Sequence, residues 1–144
     1  MKTTEFVLGF AFSQTMRSVV LIEKNRPAWQ AGKLNGVGGH KAHEETNFEA
    51  MVREFREETG AQTHIFDWIH FHTMRFQNGN VVYCFATKLP VGTPVNTMED
   101  EFVDVYPVIE DGLISEFPVI ANLRWLIPMA YHELKLPIED RMML

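Results

Sequence analysis

Residues 39–61 read GHKAHEETNFEAMVREFREETGA, and the reading of this stretch decides the fold. Thr46 and Glu49 have the Thr-x-x-Glu spacing of a capping box, which makes Thr46 the N-cap of a helix. Gly60 suits a left-handed cap that ends it. No proline or glycine interrupts the interval between them. Residues three and four apart share a helical face, so Glu54, Glu57 and Glu58 fall on one stripe. Phe48, Met51, Val52 and Phe55 make a second, apolar stripe. Arg53 precedes Glu57 by one turn and is within its reach. One side of the helix thus seeks a core, and another gathers negative charge.

Carboxylates crowded together raise each other's pKa or cost stability. A solvated acidic face is the plainest account of such a run. The loop before the helix argues for more. Asn35-Gly36-Val37-Gly38-Gly39 lets backbone approach a ligand closely and presents free carbonyls and amides. Carboxylates joined by a backbone carbonyl are the oxygen ligands that Mg²⁺ or Mn²⁺ prefers.

The pattern Gly39-x5-Glu45-x7-Arg53-Glu54-Phe55-x-Glu57-Glu58-x-Gly60-Ala61 resembles the Nudix box, G-x5-E-x7-R-E-U-x-E-E-x-G-U, in which U is a bulky aliphatic residue. Every glycine, glutamate and arginine position matches. Phe55 is aromatic and Ala61 is small where the box has U. The resemblance implies an α/β/α sandwich with a mixed sheet, the box forming a loop-helix-loop. It also implies hydrolysis of a phosphoanhydride bond with Mg²⁺ or Mn²⁺ as cofactor. Glu54, Glu57 and Glu58 would then hold the metal with the Gly39 carbonyl, and one of the three glutamates would take a proton from water. Arg53 would orient these carboxylates and Glu45 would hold Arg53. Some relatives add an acid from a later loop. Glu99, Asp100 and Glu101 occupy that region, Glu101 being preferred as a further metal ligand because it adjoins a strand. The competing account makes all three solvated loop acids.

The substrate is less sharply marked. Asn35 in Leu-Asn-Gly-Val-Gly-Gly resembles a stretch of oxidised-purine nucleoside triphosphatases in which asparagine faces the base. Asparagine before glycine is also an ordinary turn choice. Arg26 and Lys33 flank the loop and are candidates to meet phosphates, with surface solvation as the alternative; Gly38 offers backbone approach. Trp29 precedes the loop and is the best of three tryptophans for stacking on a base, although packing is the ordinary role for Trp29, Trp68 and Trp125 alike. No proline stands between Pro27 and Pro90, so the marker of ADP-ribose-type relatives is missing, and Tyr83 comes too late for the dinucleoside polyphosphate type. What remains is a nucleoside triphosphate, oxidised or not, cleaved to monophosphate and pyrophosphate. Kept beside it are a nucleotide sugar, ADP-ribose or dinucleotide hydrolase, and a nucleotide-binding regulatory module without catalysis.

Composition sets the remaining bounds. The chain has 144 residues, 46% of them hydrophobic, enough for one domain over residues 1–144 with a core of its own. Its net charge of −6 disfavours nucleic-acid polymers, and no basic stripe offsets it. A polyphosphate is compatible with that charge only if cations intervene. Cys84 is the single cysteine and has no partner for an internal disulfide, which suits a reducing cytoplasm; it reads as a small core residue. No apolar run reaches the roughly 20 residues of a membrane span. The first residues read as a strand, not a signal segment. A homodimer remains open.

Along the chain, 6–12 and 19–23 are expected to pair as an early hairpin, with 24–33 a polar connection. A strand is expected over 65–76, a hairpin turn at Gln77-Asn78-Gly79-Asn80, and a partner strand over 81–88. A loop over 89–100 leads to a strand at 102–108. A second helix is expected from Glu116 to about Leu134, kinked or split at Pro128. His70 and His72 are expected on one side of their strand, as part of its polar face, and His40 and His43 in an exposed loop. Such hairpins with two helices give a mixed sheet covered on both faces.

Overall fold

The computed structural model describes residues 3–114 and 116–144. Its centre is β1 (Glu5–Phe12), which runs parallel to β6 (Val81–Lys88) from Glu5↔Val81 to Phe12↔Lys88. β4 (Val37–His40) lies antiparallel against Phe6–Gly9, while β2 (Ser18–Glu23) takes the same edge at Ala11 and Phe12. β2 then splays away to pair with β3 (Leu34–Asn35) and β7 (Val103–Pro107). β5 (Ile69–Arg75) returns antiparallel on β6 through the turn at Asn78-Gly79. The result is one mixed sheet of seven strands.

Strand side chains alternate between faces, and β1 shows why both faces must be covered. Phe10 and Phe12 enter one core with Leu21, Phe71 and Cys84, capped by α2 (Leu123–Lys135). Val7 and Ala11 enter the other with Val20 and Phe85, capped by α1 (Asn47–Thr59). Burying side chains of this size is worth about 1.5–3 kcal/mol each. Phe55, fully buried on α1, meets Trp68 edge-on at 5.2 Å, which fixes how the helix sits. The expected sandwich is therefore present. Among the described residues no helix is long and apolar enough to cross a membrane.

The structure departs from the sequence-based expectation in four places. Residues Ile65–Asp67 form a short 3₁₀ turn, and the strand begins only at Ile69. There the Asp67 carboxylate accepts from the His64 amide at 2.8 Å, and buried Trp68 donates Nε1 to Thr63 Oγ1 at 2.9 Å. A bulge lies between His70 and His72, which breaks the alternation expected of them. His70 stacks on Phe85 and bonds Thr73 Oγ1 at 2.8 Å, while His72 falls opposite Cys84. The second helix starts at Leu123, not Glu116. Leu34 donates to the Pro118 carbonyl at 2.8 Å and accepts from Ile120 at 2.9 Å, so the sheet edge captures 118–120 in extended form. Pro128 does lie inside that helix but does not split it; buried Leu126, Ile127, Ala130 and Tyr131 hold both sides of it to the sheet. Packing is the role of Trp68 alone, since Trp29 and Trp125 are both more than half exposed.

Candidate active site

Helix α1 is fixed at both ends by its own sequence. Thr46 Oγ1 accepts from the Glu49 amide at 3.1 Å, and Glu49 Oε1 accepts from the Thr46 amide at 2.8 Å. Gly60 takes φ 79°, where a side chain is strained, and its amide bonds the Arg56 carbonyl at 2.8 Å. With its ends set, the helix presents Arg53, Glu54, Glu57 and Glu58 in fixed order.

Arg53 is the hub. Its Nε and Nη2 donate to the two oxygens of Glu45 at 2.7 and 2.8 Å, a bidentate pair. Its Nη1 reaches Glu54 Oε1 at 3.0 Å and Glu57 Oε2 at 3.1 Å, and Nη2 also reaches the His40 carbonyl at 3.0 Å. The Arg53 hydrogen bond holds the Glu45 carboxyl below its ordinary value. Glu45 in turn raises the guanidinium, which stays protonated. Glu54 is buried, and burial lifts its pKa against the opposing pull of Arg53. Glu58 is pushed up to about 7, first by burial and then by Glu99, Glu54 and Glu101, with Lys24 opposing. No side-chain hydrogen bond reaches the Glu58 carboxylate among the described residues. Burial first, and neighbouring acids after it, thus raise the carboxyls of Glu54 and Glu58.

Gly39 joins this acidic stripe to the sheet. A Cβ at Gly39 would lie 2.7 Å from both oxygens of Glu54, so only glycine lets that carboxylate pack on the strand. A Cβ at Gly38 would collide with the Val7 carbonyl. Both glycines also border a cleft of about 590 Å³. Of the substrate-binding candidates, Asn35, Gly38, Trp29 and Arg26 line this cleft; Lys33 is exposed and does not. Asn35 is held by its own Oδ1, which accepts from Gly36 at 2.8 Å, and by Nδ2, 3.3 Å from Gln30 Oε1. His40 ends β4, exposed, with its ring 4.5 Å from Phe6, and also borders the cleft; His43 is exposed.

Among the later-loop acids, Glu99 and Asp100 are exposed and Glu101 is buried. Glu101 Oε1 accepts from Lys24 Nζ at 3.0 Å and Oε2 from the Asn25 amide at 2.6 Å. Both oxygens accept from protein, so the expectation of a solvated loop acid fails for Glu101.

The sequence reading missed Lys24, Phe76, Asn78 and Asn80, which also border the cleft. Asn78 and Asn80 carried a turn signal only; nothing local says that the hairpin tip reaches the cleft. A second hollow, of about 290 Å³ beside Ala11, Val20 and Leu89, has no charged side chain in its wall.

The donor set suits a hard divalent cation. Three glutamates of one helix lie in or beside a desolvated, mutually repelling patch next to a strand carbonyl. Among the described residues no three His, Cys, Asp or Glu side chains form a ready-made cage. Glu54 and Glu57 turn instead to the Arg53 guanidinium, which supplies the positive charge there.

The profile of the NUDIX domain family matches residues 6–123, and the chain belongs to that family. Among solved structures it is similar to a MutT/nudix family protein from Enterococcus faecalis, with TM-score 0.80 and 13% identity over 98% of this chain. The chain spans 65% of that protein's length. It is also similar to MutT studied from Aliivibrio salmonicida and Vibrio cholerae, with TM-score 0.63 and 22% identity, covering 74% of this chain and 81% of that one. A third likeness is the NUDIX domain of Shewanella oneidensis NrtR in complex with ADP ribose, with TM-score 0.74 and 16% identity, covering 94% and 90%. No match was found among curated proteins.

Proposed function

We propose that this protein hydrolyses a phosphoanhydride bond of a nucleoside triphosphate, oxidised or not, to the monophosphate and pyrophosphate, using Mg²⁺ or Mn²⁺. The observation that carries the reading is Gly39, which borders the cleft and also packs against the Glu54 carboxylate. Substrate in the cleft would thereby meet the acidic stripe at Gly39.

Glu54, Glu57 and Glu58, with the Gly39 carbonyl, would hold the metal. A divalent ion there supplies charge neutralisation for the phosphates and lowers the pKa of water. Arg53 keeps Glu54 and Glu57 oriented, and Glu45 keeps Arg53 from swinging away. One of Glu54, Glu57 and Glu58 would take the proton from water. Trp29, exposed on the cleft wall, offers a stacking face, and Asn35 offers a fixed amide. Arg26 borders the same cleft; Lys33 drops out.

A second reading, a nucleoside diphosphate linked to another group, draws on the NrtR likeness, whose ligand is ADP ribose. A panel of canonical and oxidised nucleoside triphosphates, nucleotide sugars, ADP-ribose and dinucleotides, assayed with Mg²⁺ and Mn²⁺, tests both. Pyrophosphate release from a triphosphate supports the first. Activity on ADP-ribose or a nucleotide sugar alone supports the second. No turnover on any of them sinks catalysis.

A further inference from the structure

The chain segment that walls the cleft is zipped to the approach of β7. The Glu23 amide bonds the Phe102 carbonyl at 2.8 Å, and Asn25 Nδ2 bonds the Asp100 carbonyl at 3.2 Å. Arg26 lies 3.5 Å from Asp100. At the centre sits Glu101, 7% exposed, holding Lys24 with one oxygen and the Asn25 amide with the other. Lys24 borders the cleft together with Gly38 and Gly39.

We propose that Lys24 is the cation that receives a substrate phosphate in the cleft, and that Glu101 is its positioning residue instead of a metal ligand. The proposal rests on the phosphoanhydride reading above. A free lysine swings on a long flexible stem; here a buried carboxylate pins it at the edge of the cleft. An ammonium has three donors, and Glu101 uses one, so the others are available to phosphate oxygens. A metal ion on Glu101 would have to displace Lys24 or sit beside its like charge. Glu101 is also costly to bury unpaired, which explains why both its oxygens are satisfied.

The test uses Lys24→Met, Lys24→Arg and Glu101→Gln in the whole chain, with inorganic pyrophosphate plus Mg²⁺ as the calorimetric probe. Lys24→Met should weaken pyrophosphate about tenfold to a hundredfold and raise KM likewise, with kcat changed less than about threefold. Lys24→Arg should restore most of the loss. Glu101→Gln should weaken pyrophosphate by about fivefold, and by less than about twofold when Lys24→Met is already present. The rise in Tm that Mg²⁺ gives should be the same in Glu101→Gln as in the parent. Loss of that rise together with a fall in kcat would make Glu101 a metal ligand and overturn the proposal. So would pyrophosphate binding by Lys24→Met at the parent's affinity, or no pyrophosphate binding by the parent itself. Absence of nucleotide hydrolysis in the parent would sink the proposed reaction, while the pyrophosphate titration would still decide Lys24.

Discussion

Helices α1 and α2 are each 13 residues long, and they cover opposite faces of the same sheet. α1 is stopped at both ends by its own residues, Thr46 with Glu49 and then Gly60, and turns a charged stripe outward. α2 has no side-chain cap at Asn122, contains a proline, and begins where the sheet edge releases 118–120. α2 is buried through Leu123, Leu126, Ile127, Ala130, Tyr131 and Leu134, and the carboxylate of buried Glu133 serves the chain itself, accepting from the Met142 amide at 2.6 Å. The contrast separates two jobs. α2 is held by apolar contact and holds the fold. α1 packs through Met51 and Phe55 as well, but its ends are set by its own caps, and its remaining face carries acids that the fold alone would not tolerate cheaply.

If that division is right, the two helices should fail in different ways. The largest effect is expected from Glu57→Gln or Glu58→Gln, each lowering turnover roughly 10²–10³-fold. Circular dichroism should show both still folded. An unchanged rate in both would end the assignment of chemistry to α1. Next, Leu126→Ala, fully buried on α2, should destabilise the protein by about 2–5 kcal/mol in denaturant titration. Its kcat, measured on the folded fraction, should stay near the parent's; a large fall there would mean that α2 does more than pack.

A smaller effect sharpens the electrostatic half of the comparison. In chelator, the folded protein keeps Glu58 protonated up to about 7, against 4.5 as its ordinary value. The folded state therefore binds more protons than the unfolded state between those values, and stability should fall as pH rises through that window. Glu58→Gln should flatten this part of a Tm-against-pH curve. An equally steep curve in the variant would place the strain elsewhere. Smallest is Thr46→Ala, which removes the cap of α1 and should cost about 1 kcal/mol. A Tm unmoved by that change would argue that the sheet contacts of α1, not its cap, set its start.

The same contrast explains what could be read in advance. Thr46, Glu49 and Gly60 act on residues a few positions away, so the span of α1 and its charged stripe were legible in sequence. So was the pairing of Arg53 with Glu57, one turn apart. The start of α2 was not, because Leu34, far back in the chain, holds Pro118 and Ile120 extended. The bulge at His70 and His72 was hidden for the same reason: it answers to packing against Phe85 and Cys84. In the site, Glu45 and Arg53 were legible through the motif. Lys24 was not, since its role depends on Glu101 from a distant loop. Lys33, nearer the glycine loop in sequence than Lys24, does not line the cleft.

Cys84 lies at the bottom of the core beneath α2, fully buried, with its thiol pushed up to about 12 by desolvation. In the native state it should therefore ignore maleimides and iodoacetamide. A cysteine placed at the hairpin tip or on the Trp29 turn would be the one accessible thiol such reagents find. The molecule is thus already prepared for attaching a single fluorophore or spin label at its mouth, with no background substitution needed.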